Sequence, residues 1–240
     1  MQQLKQRGVV VAGPVAVKYG NSRVEAQGHW LQRHWSFGGL PAVHYLGRDC
    51  YVMERLDTER PNGWSDVDVA CDVIRVLADL WALPWKGRTG STEHELYARE
   101  LELGKPWVDC FALPWVTTHG NPTLGNVLWR PRLHSAGGFD LVVTDPGEPW
   151  MAGSGRYPPV RAFDLGKLLQ SALGWERGTL VDPDFAVVQA VRNACESELE
   201  WDATRYACAV HVMSVTRAKY RPELRAEAKA AVEWLREGAR

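Results

Sequence analysis

The 240-residue chain carries 28 basic and 29 acidic side chains, with 45% hydrophobic and 24% charged residues. That composition suits one large domain or two packed lobes with a proper core, and it excludes whole-molecule attraction to nucleic acid or membranes. A local basic patch stays compatible with the balance. The five cysteines (Cys50, Cys71, Cys110, Cys195, Cys208) are scattered and lack zinc or redox-dithiol spacing, so they read as reduced thiols. Met1 to Arg7 has no apolar run, and no stretch approaches the roughly 18 apolar residues of a membrane helix. A soluble, cytoplasmic protein is expected.

In chain order, Gly8 to Lys18 holds two β-branched runs joined by Gly13-Pro14, which predicts a hairpin. Asn21 and Ser22 offer caps for a helix over Arg23 to Trp35, with Val24, Leu31 and Trp35 near helical spacing. Gly38-Gly39 ends it. Pro41 to Leu46 and Cys50 to Leu56 predict two more strands, turning at Gly47-Arg48-Asp49. Thr58 to Gly63 then reads as a polar connector.

From Ser65 the pattern becomes helical. Val67, Val69, Val73, Ile74, Leu77, Leu80 and Trp81 form an apolar face, with Ser65 as cap and Asp68 in the first turn. Further helices are expected over Glu93 to Leu103, Arg161 to Leu173, Pro183 to Glu200, Asp202 to Ala218 and Pro222 to Glu237. Trp115 to Asp145 is irregular and strand-like. Among twelve tryptophans, Trp30, Trp81 and Trp234 read as core, while Trp129 and Trp150 are candidates to stack on a planar ligand.

The chemistry concentrates in Thr118-His119-Gly120-Asn121-Pro122-Thr123-Leu124-Gly125-Asn126 and, downstream, Thr144-Asp145-Pro146-Gly147. Together these segments resemble the catalytic loop and metal-binding Asp segment of aminoglycoside phosphotransferases and their choline-kinase and protein-kinase relatives. Phosphoryl transfer needs a group that orients the attacking hydroxyl and accepts its proton, and oxygen ligands that hold magnesium on the phosphates. The resemblance implies that residue 121 fills the first need and that Asn126 and Asp145 fill the second. His119 is expected to organise the loop.

Other stretches extend the resemblance over about Val9 to Leu173. Val15-Ala-Val-Lys18 is similar to the strand whose lysine grips phosphates, and Glu25, seven residues on, is the implied partner of Lys18. Tyr51 to Leu56, with Glu54 and Leu56, looks like the hinge whose backbone bonds adenine. Asp164 fits an acid that supports the catalytic loop. The implied fold is α+β and two-lobed, protein-kinase-like, with a β-rich lobe over 1–56 and a larger helical lobe over 57–240. The implied activity is ATP- and Mg-dependent transfer to a hydroxyl of a small molecule, such as a sugar, aminoglycoside-like or nucleoside compound.

Two departures qualify it. Asn121 stands where the family has Asp, and an amide is no base at neutral pH. Either the chain is a natural pseudokinase that binds nucleotide without transfer, or it is an engineered Asp-to-Asn form of an active enzyme, expected to be feeble as it stands; the intact loop favours the second. No Gly-x-Gly-x-x-Gly precedes Lys18, so the phosphate lid is shortened to one hairpin. A kinase acting on a macromolecule is a further alternative, set against by the short Gly147 to Arg161 segment. For the acceptor, Glu148, Asp182 and Asp184 are candidate cation binders, and Arg156 and Tyr157 candidate pocket residues.

Overall fold

The computed structural model describes residues 8–20, 22–85, 91–132, 138–147, 157–180, 182–217 and 221–239. Asn21, Glu148, Trp150 and Arg156, singled out above, lie outside them. The chain starts with β1 (Gly8–Ala12), β2 (Val15–Tyr19), α1 (Ser22–His34), β3 (Val43–Leu46) and β4 (Cys50–Glu54). The four strands form an antiparallel sheet in the order β1-β2-β4-β3. Gly13, at φ 60°, makes the β1–β2 turn, a backbone angle that glycine adopts without a Cβ penalty.

Helix α1 packs on β3 and β4 through Val24, Gln27, Gly28, Leu31 and His34, a stripe at helical spacing. Trp35, expected on that face, is instead 59% exposed just beyond the helix end. A clamp then ties the sheet to the rest. Glu54 accepts from Ala42 N at 2.8 Å and pairs with Arg130, whose guanidinium also reaches Gly38 O and Leu40 O.

The second part is helical: α2 (Asp66–Trp81), α3 (Ser91–Glu100), α4 (Arg161–Ala172), α5 (Phe185–Ala194), α6 (Glu198–Val215) and α7 (Arg225–Arg236), with the hairpin β5 (Val127–Pro131) and β6 (Phe139–Val143) between α3 and α4. Ser65 and Asp68 form a reciprocal capping box at the start of α2, as the sequence predicts. The expected break between the fifth and sixth helices near Glu200 moves upstream. Cys195 is extended, and Ser197 caps α6 by accepting from Glu200 N at 3.1 Å.

Helix α4 is the spine of this part. Every residue from Ala162 to Ala172 is buried, and it packs most extensively against α6. The helices approach closely because Gly166 has no side chain; a Cβ there would lie 2.6 Å from Ala207 Cβ and 2.7 Å from Cys208 N. Leu165, Leu168 and Leu169 are fully buried, each contributing about 1.5–3 kcal/mol. Yet Asp164, Lys167 and Ser171 are buried on the same helix, at i, i+3 and i+7, a polar stripe along one side. Trp129 is also core rather than ligand platform: it is 2% exposed and meets Trp64 edge-on at 4.9 Å.

Candidate active site

Positions 119–126 and 144–147 are woven together by backbone and side-chain bonds. Gly147 N donates to His119 O at 2.8 Å, and Thr144 N donates to Asn126 O at 2.8 Å. The two segments cross where neither chain carries a side chain. A Cβ on Gly147 would sit 2.5 Å from the carbonyl carbon and oxygen of Gly120. Gly120 is at φ 80° and Asp145 at φ 54°, so a non-glycine residue is held in the left-handed region at the head of the cleft.

The side chains that carry the motif converge there. Lys18 of β2 pairs with Asp145 Oδ1, bridging the sheet and the second segment. Gln27 of α1 donates to Asp145 Oδ1 at 3.0 Å and to Pro146 O at 2.7 Å. Asn121 Nδ2 donates to Asp145 O at 3.1 Å, and Asn126 Nδ2 donates to Asn121 O at 2.8 Å. Lys18 and Gln27 both reach the Oδ1 atom of the Asp145 carboxylate. The Asp145 carboxylate lines the cleft as a hard oxygen donor of the kind Mg2+ takes, whereas the Asn126 amide is bonded to Asn121 O and does not line it. Among the described residues no cluster of three or more His, Cys, Asp or Glu is suited to a metal.

Beneath the loop, the carboxylate of Asp164 accepts three N–H groups: Trp81 Nε1 at 2.9 Å, His119 N at 2.9 Å and Gly120 N at 2.6 Å. Burial pushes this acid up to about 6, with the three hydrogen bonds opposing the shift. His119 is 1% exposed, and burial lowers it to about 3, so it is neutral. Its Nδ1 lies 3.4 Å from Asn121 N, and its ring meets Trp30 edge-on at 5.6 Å. It props the loop from inside and does not line the cleft.

The cleft is a cavity of about 780 Å³ running from the sheet to the helices. Lys18, Tyr51 and Met53 of the sheet, Asn121 and Asp145 of the two loop segments, and Tyr157, Lys167 and His211 of the helical part line it. Asn126, expected as a metal ligand, is not among the described residues that line it.

Several expectations are corrected. Glu25 does not face Lys18. It lies two residues from Gln27, about 200° round the helix, and its side chain is 39% exposed with His29 at 4.0 Å. Asp145 is the partner of Lys18 instead, and from α1 it is Gln27 that reaches Asp145. Glu54 turns its side chain to Arg130, and its N–H bonds Ala42 O at 3.0 Å. Leu56 is buried, and neither residue lines the cavity; Met53, Thr58 and Leu128 do. Asp184 caps α5 by accepting Ala186 N at 3.0 Å, and Asp182 stands outside with Arg177 at 3.8 Å. Gln27 and Lys167 were missed; helical periodicity of α1 and the polar stripe of α4 carried the signal.

No protein-family model matches the sequence, and no curated protein matches it. Solved structures do. A choline/ethanolamine kinase family protein from Mesorhizobium loti aligns with a TM-score of 0.56 at 13% identity, covering 97% of this chain and 84% of that one. Plasmodium vivax ethanolamine kinase aligns with a TM-score of 0.52 at 7% identity, over 96% and 82% of the two chains. A putative fructosamine-3-kinase from Thermobifida fusca aligns with a TM-score of 0.50 at 17% identity, over 96% of each. The chain therefore has the α+β kinase-like fold of these small-molecule kinase structures. Among the described residues, no helix is long and apolar enough to cross a membrane.

Proposed function

We propose that this chain binds a nucleoside triphosphate with Mg2+ and directs its terminal phosphoryl group to a hydroxyl of a small molecule. The observation that carries the reading is the Lys18–Asp145 pair, formed in the cleft that Asn121 also lines. ATP is the donor in this reading, residues 1–56 are the nucleotide lobe, and residues 57–240 carry the catalytic loop and acceptor. The free state of all five thiols suits a cytoplasmic setting. The structures of like fold are named as kinases of choline/ethanolamine, ethanolamine and fructosamine, which supports a small acceptor.

In this mechanism Lys18 exchanges Asp145 for the phosphates of the donor, its ammonium being a compact charge suited to them. Asp145 and Asn126 would hold the metal, which neutralises charge on the phosphates. Gln27 keeps Asp145 turned inward once Lys18 has left. Asn121 hydrogen-bonds the acceptor hydroxyl and aligns it but takes no proton; as the new O–P bond forms and the bond to the nucleoside diphosphate breaks, the hydroxyl proton passes to an oxygen of the transferred phosphoryl group. Asp164 fixes the loop through His119 and Gly120.

One observation favours a second reading, a nucleotide-binding pseudokinase. The amide of Asn121 donates to Asp145 O, a bond that a carboxylate cannot make. The variant Asn121→Asp separates the two. For an enzyme whose base is missing, it raises ADP release by about 10²- to 10⁴-fold. Unchanged turnover with ATP still bound would leave the pseudokinase.

A further inference from the structure

Helix α4 sends three polar side chains toward the catalytic loop, and two of them have evident partners. Asp164 holds the amides of His119 and Gly120, and Ser171 Oγ accepts Leu124 N at 3.0 Å. Lys167 lies between them on the stripe. It is 9% exposed, lines the cavity, and makes no hydrogen bond or ion pair with any described residue. The residue is largely buried but its side chain reaches the cavity lining, where an ammonium offers a contact to an anion entering the cleft.

The surroundings point the same way. Burial lowers Lys167 to about 8 even though Glu176, Cys208 and Asp145 pull it upward from a distance. Those carboxylates are engaged elsewhere: Asp145 with Lys18, and Glu176 with Ser171 Oγ at 2.9 Å. His211, across on α6, is neutral because burial holds it at about 3. Among the described residues lining the cavity, the charged groups are Lys18, Arg23, Lys167 and Arg217 against Asp145 alone. Arg217 is paired with Glu100, Lys18 with Asp145, and Arg23 has a partner of its own, which leaves Lys167 as the cavity cation outside the described ion pairs.

We propose that Lys167 forms an oxyanion subsite in the helical part of the cleft, so that the acceptor hydroxyl belongs to a carboxylated or phosphorylated molecule. This rests on the phosphotransfer reading and adds the acceptor class to it. It departs from ethanolamine and fructosamine, the amines for which structures of like fold are named. An amine acceptor needs carboxylates where this cavity presents an ammonium.

The test uses the full chain and simple probes. Nucleotide binding is measured first, by titrating the non-hydrolysable analogue AMP-PNP with Mg2+. Inorganic phosphate, acetate and ethanolamine are then titrated into the saturated protein and, separately, into the nucleotide-free protein. Phosphate and acetate should bind, ethanolamine should not, and Lys167→Met should weaken anion binding by at least about tenfold while leaving AMP-PNP affinity unchanged. Lys167→Arg, which keeps the charge, should bind anions like the parent and guards against a folding defect in the Met variant. Ethanolamine binding in preference to phosphate, anion binding equal in parent and Met variant, or a loss of AMP-PNP affinity alone would each overturn the subsite. Failure of AMP-PNP to bind at all removes the kinase reading. In that case the Lys167→Met and Lys18→Met variants, titrated with phosphate in the free protein, still decide where the anion sits.

Discussion

Replacing Asp164 by Asn separates the electrostatic cost of this carboxylate from its role as a loop anchor. Its carboxyl pKa of about 6, against 3.8 for the ordinary side chain, means the folded state binds its proton more tightly than the unfolded state. That contribution to stability is present below pH 3.8 and lost as pH rises through 6. The shift is about two units, or roughly 3 kcal/mol. Asn sheds this pH-dependent cost. With its oxygen in the Oδ2 position it keeps the bonds from Trp81 and His119, but its NH2 then faces Gly120 N–H, so a bond worth about 1.5–3 kcal/mol is lost. At pH 7 gain and loss nearly cancel, within about 2 kcal/mol. At pH 4 the parent should exceed the variant by roughly 2 kcal/mol more than at pH 7. Asp164→Ala leaves three buried donors without acceptors and should be the less stable substitution. Urea unfolding of the three proteins between pH 4 and 7 reads this directly. Parallel stability curves for parent and Asp164→Asn would refute the claim that burial dominates at this site.

Gly147→Ala should destabilise by about 1–3 kcal/mol and weaken nucleotide binding, because its Cβ meets the Gly120 backbone and neither segment can give way without moving Asp145; wild-type denaturant stability would contradict the crossing. Lys167→Met should stabilise the nucleotide-free chain by about 1–3 kcal/mol at pH 7. The folded ammonium is lowered to about 8, so the parent loses stability as pH falls from 10.5 through 8, and the gain in the variant should shrink toward pH 10.5, as unfolding at the two pH values would show.

What the sequence made legible was local. The hairpin around Gly13, the α2 capping box and the two motif segments each lie within a few consecutive residues, where turn chemistry and spacing decide the outcome. The order of lysine, helix, connector, loop and Asp survives because chain order is printed in the sequence. What was missed depends on which face of an element turns inward. Glu25 carries the expected charge, but the apolar stripe of α1 aims Gln27 at Asp145. Glu54 is taken by Arg130, 76 residues away, a pairing that no local pattern announces. Trp129 alternates inward on β5 and so joins the core. Ser197-x-x-Glu200 marked the start of α6 in plain view, yet the apolar run on either side hid the break.

The most direct test of the central claim is calorimetric titration of ATP with and without Mg2+, into the parent, Lys18→Met and Asp145→Asn. The account predicts that the parent binds ATP, and that Mg2+ tightens binding by at least about tenfold. It also predicts that Asp145→Asn abolishes the Mg2+ effect and that Lys18→Met weakens binding in either condition. ATP binding indifferent to Mg2+ and to both substitutions, or no ATP binding by the folded parent, would contradict it.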